Sequence, residues 1–246
     1  MDERERIRKI YESGLVRDLA LQDPHYREEL EKLGIDTCCG GGMLLGETAR
    51  EIGISLEMLL SRLHREPAQS AGIPGGMEKA SNALLIDYVL EIYHTTLREQ
   101  LPNLELLFQR VMLAHGEHAA ELSALQEHFL ALKDELLSHI DSEETLVFPA
   151  LRRNEPVPDA KTVIKQLEQE HAFTRTRLRQ MRIATSSYRI PGYASASLEI
   201  LYQGLANLDA GLHDHIYLEN NILFPRGAAL TAKTRNAAPG GSAAAE

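Results

Sequence analysis

The 246-residue chain has no tryptophan and only 5% aromatic residues. A surface that stacks successive nucleobases needs such rings, so a single-strand nucleic-acid platform is poorly supplied. Positive charge is short as well: 26 Lys and Arg stand against 36 Asp and Glu, a net charge of −10 at pH 7. Phosphate-backbone binding draws its affinity from clustered cations, and this balance argues against any nucleic-acid partner. No stretch approaches the ~18 consecutive apolar residues that a membrane-spanning helix requires, so no membrane partner is expected. The first residues, MDERERIRKI, are charged and lack the apolar stretch of a secretory signal. A cytoplasmic address is the expectation.

Cysteine is nearly absent: there are two, Cys38 and Cys39, side by side. A bridge between neighbours strains the backbone and closes no useful loop, so a structural disulfide is excluded and a reduced compartment fits. The pair is followed by Gly40, Gly41 and Gly42. Such a turn is expected to be exposed and pliable, where a thiolate is stabilised and reached. The bland alternative is a tight turn that needs small residues.

What the chain does have is 43% apolar residues, enough for a buried core, and helical periodicity almost throughout. Short segments separated by turn signals fill residues 1–66. Asp23-Pro24 breaks one of them, and Ser55 is placed to cap the segment from Leu56 to Leu63. A Pro-, Gly- and Ser-rich stretch at 67–77 reads as a flexible linker. From about Glu78 the pattern lengthens into four helices. Pro102 is expected to kink or restart the first, and Phe148-Pro149 and Phe224-Pro225 to stop the second and fourth. The expected fold is all-α: a small N-terminal helical domain (1–66), then an antiparallel four-helix bundle (78–227). The small, polar residues 228–246 are expected to be a disordered, dispensable tail.

An internal repeat carries the chemistry. His139-Ile-Asp-Ser-Glu143 through Phe148-Pro149 matches His215-Ile-Tyr-Leu-Glu219 through Phe224-Pro225 without a gap, and a histidine precedes each copy at nearly equal distance, His94 and His171. Residues four apart share a helix face, roughly 6 Å from one another, so one helix presents both His and Glu to one site. Turned inward, His94, His139, Glu143, His171, His215 and Glu219 place four imidazoles and two carboxylates in the bundle core. Buried carboxylates demand a compensating cation. Nitrogen and oxygen donors without thiolate suit two non-haem iron ions, bridged by oxygen and carboxylates; manganese or zinc fit less well. A lone His-x-x-x-Glu is more often a solvated pair than a ligand set, and the repetition is what reverses that. His25, His64, His115, His118, His128 and His213 lie outside the pattern and are expected to be solvated or satisfied locally, with His115 and His118 on the outer surface.

A ferritin-like scheme competes for the same helices. It would use Glu91-x-x-His94 and Glu168-x-x-His171 with Glu143 and Glu219. It ranks second, because it leaves the repeated His139 and His215 without a role.

With both features in place, the chain resembles the repair of iron centres family, di-iron proteins with a hemerythrin-like bundle behind an N-terminal ScdA-type domain. The resemblance rests on Asp36-Thr37-Cys38-Cys39-Gly40-Gly41, on the stretch from Tyr93-His94 to Leu101-Pro102, and on both repeated His-x3-Glu-x4-Phe-Pro segments. It implies the same six metal ligands, acidic residues Glu135 and Glu170 beside the metals, and a redox or iron-relay role for Cys38 and Cys39. Oxygen-carrying hemerythrins place a histidine where this chain has Arg175, so simple oxygen carriage is not implied. What is implied is repair of iron–sulfur clusters damaged by oxidative or nitrosative stress, by iron donation or by NO binding and reduction. NO or O2 would be the small ligands, damaged iron–sulfur proteins the partners, and a homodimer is compatible. The alternatives are an O2, NO or iron sensor or storage module without turnover, and a ferritin-like oxidase or peroxidase.

Overall fold

The computed structural model describes residues 2–63, 73 and 76–237. Among them the architecture is all-α, with no strand beyond an isolated bridge between Leu15 and Leu44. The chain divides into two compact units, Met1–Ser81 with Gly211–Ile222, and Asn82–Ala210 with Leu223–Glu246. The first unit thus contains a segment of the last bundle helix beside the N-terminal residues. Most of the expected linker lies outside the described residues.

The first unit holds α1 (Glu3–Ser13), α2 (Val16–Ala20), α3 (Pro24–Lys32), α4 (Leu45–Glu51) and α5 (Leu56–Leu63). Their boundaries follow local chemistry. Asp2 caps α1 by accepting from the Glu5 amide at 2.7 Å. Asp23 caps α3 by accepting from His25 N–H at 2.8 Å, with Pro24 in the first helical turn, where its missing N–H is no loss. Ser55 Oγ accepts from the Met58 amide at 3.2 Å, the cap the sequence indicates. One apolar stripe from each helix closes a core of Ile7, Val16, Leu19, Leu30, Leu45 and Leu59, and Tyr217 enters the same core.

The second unit is built from α6 (Asn82–Tyr88), α7 (Thr95–Ala114), α8 (Ala119–Ser142), α9 (Phe148–Arg152), α10 (Ala160–Ala184) and the greater part of α11 (Ala196–Leu218), with α12 (Phe224–Ala237). Phe108 and Phe129, ring centroids 5.0 Å apart, anchor its core. Gly204 lets α11 approach α7 closely: a Cβ there would stand 2.6 Å from Leu104 Cδ2, and Gln100 Nε2 donates to the Gly204 carbonyl at 3.0 Å.

Pro102 sits inside α7 without ending it. Pro149 and Pro225, expected to stop their helices, do not. Each is preceded by a π-helical turn, Glu143–Val147 and Glu219–Leu223, through which the chain continues into α9 and α12. The Phe148 amide bonds back five residues to Glu143 O. A widened turn relieves the clash between a pyrrolidine ring and the carbonyl four residues earlier. As a result α12 runs to Ala237, so residues 228–237 of the expected disordered tail are helical, and the rest lies outside the described residues. Alanine-rich composition is weak evidence for disorder, since alanine is the best helix former.

Candidate metal centre

Three of the four bundle helices carry a π-turn at a candidate ligand: Val89–His94, Glu143–Val147 and Glu219–Leu223. Such turns insert an extra residue and re-aim the side chains around them. In the first, the Thr95 amide and hydroxyl both bond the Leu90 carbonyl, the hydroxyl at 2.9 Å. The fourth candidate helix, α10 with His171, has no such turn.

Glu143 is completely buried, its two oxygens facing two imidazoles: Oε2 lies 3.4 Å from His94 Nε2, and Oε1 lies 3.4 Å from His139 Nε2. His139 Nε2 in turn stands 2.9 Å from His171 Nε2. His215 Nε2 and Glu219 Oε1 are 2.8 Å apart, both buried. The second unit thus gathers four buried candidate donors, His94, His139, Glu143 and His171, and the first unit holds His215 and Glu219 as a buried pair. Donors at right angles around a metal, with bonds near 2.1 Å, stand about 3 Å apart. The observed separations are edges of that size, so this buried His/Glu cluster suits metal binding.

The outer nitrogens support the fit. His139 Nδ1 meets Glu170 Oε2 at 2.7 Å, and His94 Nδ1 meets Glu144 Oε1 at 2.9 Å. An ionised carboxylate only accepts, so each Nδ1 carries the proton and each Nε2 turns a lone pair inward. A lone pair aimed at a buried carboxylate is repelled unless a cation lies between them, and the donor set supplies that place. The His139 hydrogen bond is the chief reason that Glu170 titrates below the ordinary carboxylate range. Burial pushes Glu135 above it, against the opposing pull of Arg177.

The phenylalanines of the repeat have a role that the sequence did not disclose. Phe148 stacks on His94 at 5.5 Å between centroids, and Phe224 stacks on His171 at 5.6 Å, nearly parallel. Each Phe-Pro thus follows a ligand-bearing turn and fixes an imidazole of another helix. Glu144 and Arg98 also escaped the sequence reading, although Glu144 adjoins Glu143 in the motif. Glu91 and Glu168 are exposed, which removes the ferritin-like scheme's distinguishing ligands.

The cysteines are packed rather than exposed, although Gly42 beyond them is open to solvent. Cys38 is fully buried and Cys39 partly so, neither in a disulfide. Asp36 Oδ1 accepts from both their amides at 3.0 and 3.1 Å, and Cys38 Sγ donates to the His213 carbonyl at 3.6 Å. Asn221 Nδ2 donates to the carbonyls of Thr37 (3.0 Å) and Cys38 (3.2 Å), and Asn220 Nδ2 lies 3.5 Å from Cys39 Sγ. Gly41 is explained by this close approach: a Cβ on it would stand 1.8 Å from Asn221 Oδ1, whereas one on Gly40 would meet the Asp36 carbonyl at 2.4 Å and one on Gly42 would meet nothing within 4 Å. His115 is buried rather than on the outer surface, bonded to Ser195 Oγ at 2.8 Å, and His118 stacks on Tyr193.

Comparison with known proteins agrees with the site. The model of the hemerythrin HHE cation binding domain matches residues 85–226. The chain is 30% identical over 218 residues to the iron-sulfur cluster repair protein ScdA of Staphylococcus haemolyticus, covering 87% of this chain and 98% of that protein. It is also 30% identical over 219 residues to the iron-sulfur cluster repair protein YtfE of Escherichia coli, covering 88% and 97%. No helix among the described residues is long and apolar enough to cross a membrane.

Proposed function

Because this chain belongs to the repair of iron centres family, with its hemerythrin domain, we propose that it holds two iron ions and acts in the repair of damaged iron–sulfur clusters. The observation that carries the reading is Glu143, a fully buried carboxylate set between His94 and His139 at 3.4 Å from each. Burying a carboxylate there is costly, and a cation held between it and the imidazoles offsets that cost. His94, His139, Glu143, His171, His215 and Glu219 would hold the pair, four imidazoles and two carboxylates drawn from the two copies of the repeat and their upstream histidines. When bound in its reduced form, such a pair supplies a centre that takes NO or O2 as ligand, or yields iron to an apoprotein.

The protein's own residues would hold this centre in a dry site. Stacking on Phe148 and Phe224 keeps His94 and His171 from turning, and Glu144 and Glu170 hold the outer nitrogens of His94 and His139. The relatives' names speak for repair, and the thiols of Cys38 and Cys39 are suited to a relay, though a buried Cys38 needs the turn to loosen first.

Metal analysis and Mössbauer spectroscopy on anaerobically purified full-length protein test the metal reading; two inequivalent irons per chain are expected. Incubation of the di-ferrous protein with an NO-damaged iron–sulfur protein should restore the recipient's cluster. A protein that binds NO but restores no cluster and forms no N2O would be a sensor or storage module instead.

A further inference from the structure

The exposed edge of the centre carries a chain of contacts that runs inward from solvent. Arg98 lies one helical turn beyond His94, so both project from the same side of their helix. Its Nη2 reaches Asp141 Oδ1 at 2.6 Å and Glu144 Oε1 at 3.1 Å, and the same Glu144 oxygen accepts from His94 Nδ1 at 2.9 Å. Asp141 and Glu144 sit three residues apart across the start of the Glu143–Val147 π-turn. Glu143, between them, turns into the core while its neighbour turns to the rim.

We propose that Glu144, braced by Arg98, is a positioning residue that fixes the tautomer of His94 and aims its Nε2 at the metal. The inference rests on the metal reading above. The Glu144 oxygen accepts from Nδ1 at 2.9 Å, which keeps the proton on Nδ1 and the lone pair on Nε2, the nitrogen that faces Glu143. Phe148 holds the plane of the ring by stacking, and Glu144 settles which of its two nitrogens points inward. Arg98 keeps the carboxylate from swinging into solvent by gripping it together with Asp141.

Exposure argues that this serves the site rather than the fold. Arg98 is 40% and Glu144 32% exposed, while His94 is 2% exposed. Ion pairs so open to water stabilise little. What the arrangement governs is a buried imidazole, and carboxylates behind metal-bound histidines typically alter affinity by about 10–100-fold. Glu170 does the equivalent for His139 from α10, its other oxygen accepting from Gln166 Nε2 at 3.0 Å.

The test uses full-length wild type, Glu144→Ala, Glu144→Gln and Arg98→Met. Ring 15N–1H correlation spectra of the metal-free proteins report the His94 tautomer. Anaerobic Fe(II) titration reports affinity, and thermal melting of the metal-free chains reports the fold. Wild type should show the proton on Nδ1. Glu144→Ala should mix the tautomers and weaken one of the two irons about 10–100-fold, with the metal-free melting point unchanged. Glu144→Gln should recover most of the loss, because its amide oxygen still accepts, and Arg98→Met should fall between. Wild-type tautomer and affinity in Glu144→Ala would overturn the inference. So would a fall in the metal-free melting point that accounts for the lost affinity, since that marks a structural brace. Should wild type bind no iron, the functional reading falls, while the metal-free tautomer still decides whether Glu144 orients His94.

Discussion

His139 and His171 meet Nε2 to Nε2 at 2.9 Å, from α8 and α10. With His139 Nδ1 committed to Glu170, the His139 Nε2 carries a lone pair, and His171 Nε2 is aimed straight at it. Only a shared proton or a metal makes that arrangement favourable. His139→Ala and His171→Ala are each expected to lose at least one iron per chain by metal analysis. His115→Ala, which removes a contact to Ser195 instead, should keep both. Full loading of His139→Ala would remove that residue from the ligand set.

The π-turn before Pro149 is expected to matter more to the metal than to the fold. Proline has no N–H for the Thr145 carbonyl, and Pro149→Ala restores it, so an ordinary helical turn becomes available. Glu143 would then lose its present aim. Iron content should fall while metal-free thermal stability stays the same or rises. Unchanged iron content would show that packing alone, through Val147 and Phe148, maintains the turn.

Asn221 is expected to control access to the cysteines. It is buried and donates to the carbonyls of Thr37, Cys38 and Tyr217. Asn221→Ala leaves those carbonyls with fewer donors and should destabilise by about 1–3 kcal/mol, read by denaturant unfolding. Gly41→Ala forces a methyl group against Asn221 and should act the same way. In both variants Cys38 and Cys39 should react faster with a thiol reagent than in wild type. Unaltered rates would mean that the turn opens by another route.

Acid should weaken the network around Glu31. Burial raises this carboxyl, but His213 at 2.8 Å, with Arg27 and Thr37, outweighs it and holds the group at about 2. A carboxylate depressed in the folded state contributes stability that is fully present above its unfolded value. That contribution is lost as pH falls from about 4.5 toward 2, where the folded group itself protonates. At neutral pH it amounts to roughly 3 kcal/mol. The melting-point gap between metal-free wild type and Glu31→Gln should therefore be constant above about pH 5 and close as the pH drops below it. A gap independent of pH down to 3 would show that the carboxylate charge contributes nothing.

The sequence by itself determined the features that live on a single helix. His139 with Glu143, and His215 with Glu219, are four residues apart, and helix geometry alone puts each pair on one face. The caps at Asp23-Pro24 and Ser55 are equally local, and two adjacent cysteines exclude a structural disulfide without reference to any fold. Tertiary structure decided what meets what across helices. Glu144 behind His94, Glu170 behind His139, and the stacking of Phe148 on His94 and Phe224 on His171 depend on helix rotation. That rotation is set by the π-turns and by close approaches such as Gly204, which no periodicity encodes. The cysteine turn was misjudged for the same reason. Three glycines look pliable in one dimension, but Gly41 is small because Asn221, distant in sequence, packs against it. Local spacing fixes which side chains share a face, and only packing fixes which side chains that face will meet.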